Sequence, residues 1–196
     1  MKSKGTLYAY VAYMLCMLLL NALIFVTPVL QMHQNPFAGA FYEGLRPFCH
    51  QLTSRSLCLT PSYSIVDCMP QDGTLSYSHE NVVLLEDGSY AYKLPVCARD
   101  VAIYLAMLLG GAILPFVRKV QSTQMPNKWL LAIALVPMAI DGTAQLVGLY
   151  ESTNMLRLIT GSIAGFALPF YIIPMLNMAA DNIFSHFPSL HKILFK

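Results

Sequence analysis

Two short motifs, Cys49-His50 and Cys97-Ala98-Arg99-Asp100, bring two sulfurs, one imidazole and one carboxylate to this chain. These are ligand types that hold Zn²⁺ or another divalent metal, and together they make a tetrahedral set. Asp100 follows Cys97 by three residues, so at a helix start both side chains would face one site. Cys49 and His50 are adjacent, a spacing at which side chains diverge. Two other readings therefore stand beside the metal: a Cys49–Cys97 disulfide or dithiol, and a structural set in which His50 hydrogen-bonds backbone. A second group is ionic and comprises Arg55, Arg99, Asp141, Glu151 and Arg157. In a catalytic site Asp141 or Glu151 would be the base, and the arginines would bind an anionic group such as lipid phosphate. The alternative is a buried salt-bridge network that only fixes helix order.

The elements that must position these residues are set by composition. Of 196 residues, 56% are hydrophobic and 11% charged, too apolar a balance for an ordinary soluble domain of this length. Four stretches, roughly Leu7–Val29, Val101–Val117, Trp129–Leu149 and Met155–Ala179, approach the length a bilayer span requires. Backbone amides in lipid must be bonded within their own segment, so the spans should be helices. The expected fold class is an all-α membrane protein, a four-helix transmembrane bundle with a small extracytoplasmic β-hairpin insertion. One integral membrane domain would cover residues 1–196, with the polar insertion at 59–96. Lys2 and Lys4 resemble the basic start of a signal peptide. The apolar run after them is too long for one, however, and lacks a small-x-small cleavage site, so a retained span is expected.

Lys2, Lys4, Arg118, Lys119, Lys128, Lys192 and Lys196 would all lie on one side of such a bundle. The positive-inside rule makes that side, with both termini, cytoplasmic and the loop 31–97 extracytoplasmic. The short turn near Tyr150–Asn154 would face outward too. The scarce charged and sulfur groups would then meet at the outer end of the spans, where ionisable residues mark a functional site by default.

Within the loop, Phe37–Arg46 reads as a short amphipathic stretch at the interface. Thr74–Leu85 and Ser89–Val96 flank Asp87-Gly88, a hairpin signal. Cys16 falls inside the first span and reads as an inert buried thiol. The other four cysteines allow three pairings, of which Cys58–Cys68 would tie off the start of the insertion. In the third span Asp141 and Gln145 share a helix face, and Gly142 and Gly148 would let another helix approach. Ser152 or Thr153 could cap the fourth span, with Glu151 favoured near its positive end. Arg157 would lie above the Gly161/Gly165 packing face, within reach of Asp141 or Asp100. Pro169 and Pro174 should kink that span.

The formal net charge is +2 and no basic patch suggests nucleic acid. The sequence has no Walker loop, nucleophile elbow, Rossmann fingerprint, His-Glu-x-x-His motif or haem-attachment motif, which removes the common enzyme classes. Three functions remain. The first is a metal-dependent hydrolase or lipid-modifying enzyme, with membrane lipids as partners and a small anionic or lipid substrate. The second is a thiol redox protein using Cys49 and Cys97. The third is a non-enzymatic membrane-complex subunit or carrier, although no inverted repeat is visible.

Several ordered motifs resemble a family of prokaryotic predicted membrane proteins, a domain of unknown function (DUF 2085). They are Cys49-His50-Gln51 with Arg55-Ser56, Pro95-Val96-Cys97-Ala98-Arg99 followed by Ile103-Tyr104, Asp141-Gly142-Thr143-Ala144-Gln145-Leu146, and Glu151-Ser152-Thr153-Asn154 with Arg157 and Thr160-Gly161. The likeness covers most of the chain outside the first span and the hairpin. It supports the site without implying an activity. The family pattern usually has a second cysteine where this chain has Asp100. A metal site could survive that exchange, but a catalytic dithiol within that motif could not. The insertion is also longer here than is usual in the family.

Overall fold

The computed structural model describes residues 4–49, 52–68, 80–85 and 87–186. Helices dominate, and four of them are long and apolar enough to cross a membrane. The first is α1 (Lys4–Met32). A shorter helix, α2 (Phe37–Leu45), follows it, and the side chain of Asn35 accepts the Phe37 N–H at its start. Ala38, Tyr42 and Leu45 form its buried face, spaced as one side of a helix, whereas Phe37 is exposed.

A small antiparallel sheet comes next, larger than the expected hairpin. Its strands are β1 (Ser56–Leu59), β2 (Ile65–Asp67), β3 (Val82–Leu84) and β4 (Tyr90–Cys97), in the order β2-β1-β4-β3. The β3–β4 pair, with Val83 opposite Ala91, is the hairpin signalled by Asp87-Gly88, and Gly88 has φ +78°. Residues 74–79 and 86, which the hairpin reading also used, lie outside the described residues. β1 was not visible as a strand because all four of its residues are buried and show no polar alternation. On β4 the partners of Ser56 and Cys58, that is, Cys97 and Lys93, are four positions apart where the β1 residues are two apart. Pro95, which has no N–H for the ladder, sits in this irregular stretch.

β4 runs without a linker into the second span, α3 (Ala98–Val117). The third, α4 (Lys128–Leu146), stops before the expected Leu149. Gly148, at φ +75°, lets the Leu149 N–H reach the Ala144 carbonyl (3.0 Å) while its own N–H reaches Gln145 (3.1 Å). That is a Schellman ending, so Gly148 terminates the helix rather than admitting a neighbour. The fourth span, Asn154–Ile183, is built from α5 (Asn154–Ala167) and α6 (Pro169–His186), which meet at Leu168 beside Pro169. This is the break that proline dictates.

α3 and α5 pack almost backbone to backbone. A Cβ on Gly161 would lie 2.7 Å from the Arg99 carbonyl oxygen, and one on Gly165 would strike the Ile103 backbone. The expected glycine packing face is therefore in use, with α3 as its partner. At one end of these helices Ile24 of α1, Leu45 of α2, Leu57, Leu94 and Val96 of the sheet, and Val101 of α3 share one apolar cluster. The sheet is thus seated on the ends of α1 and α3. Cys16 lies on the exposed face of α1 and is not buried against protein.

Candidate functional site

The N-terminus of α3 is the centre of the site. Cys97 is its N-cap residue, in extended conformation, and Asp100 sits in its first turn. A short 3₁₀ turn, Arg46–Phe48, delivers Cys49 to the same place. The Cys97 backbone N–H donates to Cys49 Sγ (3.2 Å), and the Cys97 thiol donates to Asp100 Oδ2 (3.1 Å). One ligand atom from each of Cys49, Cys97 and Asp100 lies within 4.8 Å of the others. Residues 48 apart in sequence thus meet in one half-buried cluster of metal-binding type. The hydrogen bond to Cys49, burial and the Asp100 carboxylate all push the Cys97 thiol up, away from thiolate. A bound cation would reverse that balance. His50, the remaining expected ligand, lies outside the described residues.

The ionic residues assemble beside this cluster, at the end shared by the start of α3, the end of α4 and the start of α5. Asp141, the one buried residue of α4, pairs with Arg99 and also accepts the Tyr150 hydroxyl. The Ser152 hydroxyl reaches the same carboxylate. Donating to Asp141 raises the Tyr150 hydroxyl above its ordinary value, since the carboxylate favours the protonated donor. Glu151 takes Arg157 Nη2 (3.0 Å), Gln145 Nε2 (2.6 Å) and Arg55 Nε (3.3 Å). Arg157, with a side chain only 3% exposed, also donates to Asn154 Oδ1 (3.0 Å). Asn154 in turn donates to Asp67 Oδ1 (3.1 Å) and the Ser56 carbonyl (3.2 Å), tying α5 to the sheet.

The pairing differs from the sequence expectation. Arg157 bonds Glu151, not Asp141 or Asp100, because Asp141 is taken by Arg99. Thr153, rather than Ser152, caps α5, its hydroxyl accepting the Leu156 N–H (3.3 Å). The sequence assigned no site role to Tyr150 or Asn154, although both lie in the turn it singled out, and Asp67 went unnoticed. Tyr150 and Asn154 flank Glu151 and could have been suspected as its shell, while nothing in sequence ties Asp67 to a residue 87 positions later. Cys58 and Cys68 stand apart from the site, joined as a disulfide with Cα atoms 5.2 Å apart.

Residues 90–171 match the family described as "Predicted membrane protein (DUF2085)". An uncharacterized protein of Methanocaldococcus jannaschii is 47% identical over 122 residues, which are 61% of this chain and 69% of that protein. No solved structure matches. The family match begins in β4 and takes in Cys97, Arg99, Asp100, Asp141, Glu151 and Arg157, all residues that the fold gathers at one end of its spans. The chain belongs to the DUF2085 family of predicted membrane proteins.

Proposed function

We propose that this is a membrane metalloprotein in which Cys49, Cys97 and Asp100 hold one divalent ion of the zinc type at the extracytoplasmic end of the spans. One observation carries the reading: three ligand atoms from two distant chain regions converge within 4.8 Å. Three protein ligands with an open fourth position are the catalytic kind of zinc site, whereas His50 as a fourth would close it. An open site fits a hydrolase or lipid-modifying enzyme, in which the ion supplies Lewis-acid activation. Asp141 and Glu151, each held by arginine, position the helices around the ion rather than act as free bases.

Elemental analysis of protein purified in detergent without chelator tests this. The expected result is about one metal per chain, lost in Cys49→Ser, Cys97→Ser and Asp100→Asn. Wild-type protein that carries no metal and takes up no added Zn²⁺ overturns it. The second reading, a redox pair, is favoured by the Cys97 N–H to Cys49 Sγ contact (3.2 Å). Recovery of Cys49 and Cys97 as a reducible disulfide in metal-free native protein would establish that reading instead.

A further inference from the structure

The opposite end of the spans carries a cavity of about 380 Å³. It is lined by the end of α3, the start of α4 and the residues on either side of the α5–α6 break at Leu168. Val117, Leu130, Phe166 and Phe170 give it an apolar wall, and Arg118 lies at its rim. The connection between α3 and α4 holds two basic residues, Arg118 and Lys119, and no acidic one, and Lys128 opens α4 just after it. Asp181 is the lone acid on α6, so this end stays net positive.

The guanidinium is fixed in place. Arg118 Nη2 donates to Ser122 Oγ (3.1 Å) and to the Gln124 carbonyl. Asn177, fully buried on α6, pins the same loop through the Val120 (2.8 Å) and Ser122 (3.0 Å) carbonyls. These contacts use one guanidinium nitrogen, and the side chain keeps partial exposure at the cavity rim. The first turn of α4 has no acidic residue and begins with Lys128, so no carboxylate offsets its positive end, which Asn127 caps by accepting the Trp129 N–H (3.1 Å). Trp129, exposed and beside the Lys128 ammonium (5.9 Å to the ring), is the residue type found at a headgroup boundary.

The geometry points to a binding site for an anionic phospholipid, with one chain in the cavity and the phosphate against Arg118 and Lys128. Charge complementarity selects the lipid class, since a basic rim on an apolar slot between spans is the chemistry that holds anionic headgroups. The site is independent of the metal cluster, which lies at the other end of α3.

Native mass spectrometry of the full chain in detergent, titrated with phosphatidylglycerol or phosphatidylcholine, tests it. Wild type should retain phosphatidylglycerol preferentially. Arg118→Gln and Lys128→Gln should each weaken it about fivefold, the effect expected per basic residue near a headgroup, while phosphatidylcholine is unchanged. Lys128 is exposed, so its variant keeps the fold even if Arg118→Gln loosens the loop. Arg46→Gln, which alters an exposed pair with Glu43 near the sheet, should change nothing. Equal retention of the two lipids, unchanged affinity in Lys128→Gln, or the same loss in Arg46→Gln overturns the proposal. Displacement by millimolar inorganic phosphate, or a lipid-free dimer, overturns it as well.

Discussion

Two clusters share one end of the spans and solve opposite electrostatic problems. The arginine cluster is self-sufficient: Arg99 answers Asp141, and Arg157 with Arg55 answers Glu151. The sulfur cluster brings two thiols and a carboxylate together. Arg99 is the residue just before Asp100, yet its ion pair goes to Asp141. Thiols and a carboxylate held this close together keep their protons unless a cation draws them off, and the buried Lys93 ammonium is near enough to feel Cys49. The comparison teaches that charge in this chain is not scattered. One cluster builds the frame, and the other gathers groups of the metal-binding kind.

The largest effect should come from breaking the frame. Glu151→Ala leaves the buried Arg157 guanidinium with Asn154 but without its carboxylate, and should lower stability by about 3 kcal/mol, the cost of leaving a buried charged donor unsatisfied. Unfolding in detergent would measure it, with or without chelator. A loss under about 1 kcal/mol would mean the two clusters are not distinct in kind. Next comes the ion. At a free Zn²⁺ concentration a hundredfold above Kd, wild type should gain about 2.7 kcal/mol, and Cys97→Ser should gain nothing. A gain surviving in both Cys49→Ser and Cys97→Ser would move the site elsewhere.

The interhelix spacing sharpens the comparison further. Gly165→Ala should cost about 1–3 kcal/mol by pushing α5 off the Ile103 backbone. It should also weaken metal uptake less than Asp100→Asn does, because it shifts Arg157 while leaving all three ligands in place. Equal losses would show that the frame and the receiving cluster are one unit.

The smallest effect concerns Lys93, fully buried on β4 and held at about 8 by burial, with Cys49 and Glu80 acting the other way and Arg46 with it. Its folded value lies below its unfolded one. The cost of the buried ammonium is therefore fully present below pH 8 and is relieved as pH rises from about 8 to 10.5. Wild type should gain stability across that window relative to Lys93→Met. A flat difference would mean that burial does not hold the Lys93 ammonium below its ordinary value.

The spans, the expected break at Pro169 and the gathering of Arg55, Arg99, Asp141, Glu151 and Arg157 at one end were legible in the sequence. Apolar length and the placing of rare charges along the chain carry that information. Which carboxylate meets which arginine was not legible. The choice depends on the rotation of each helix, and here the contact of Gly161 with Arg99 sets that rotation for α3 and α5. The strands β1 and β2 escaped notice for another reason. They have four and three residues, and their pairing becomes apparent only when β4 lies beside them.

Cys97 ends β4 and Ala98 begins α3, with no residue between them to act as a hinge. A pull or twist on the sheet is therefore delivered to the first turn of a rod long and apolar enough to cross a membrane, at the sulfur itself. The sheet and the rod turn together like a key and its shaft, and a grip on the sulfurs would lock both.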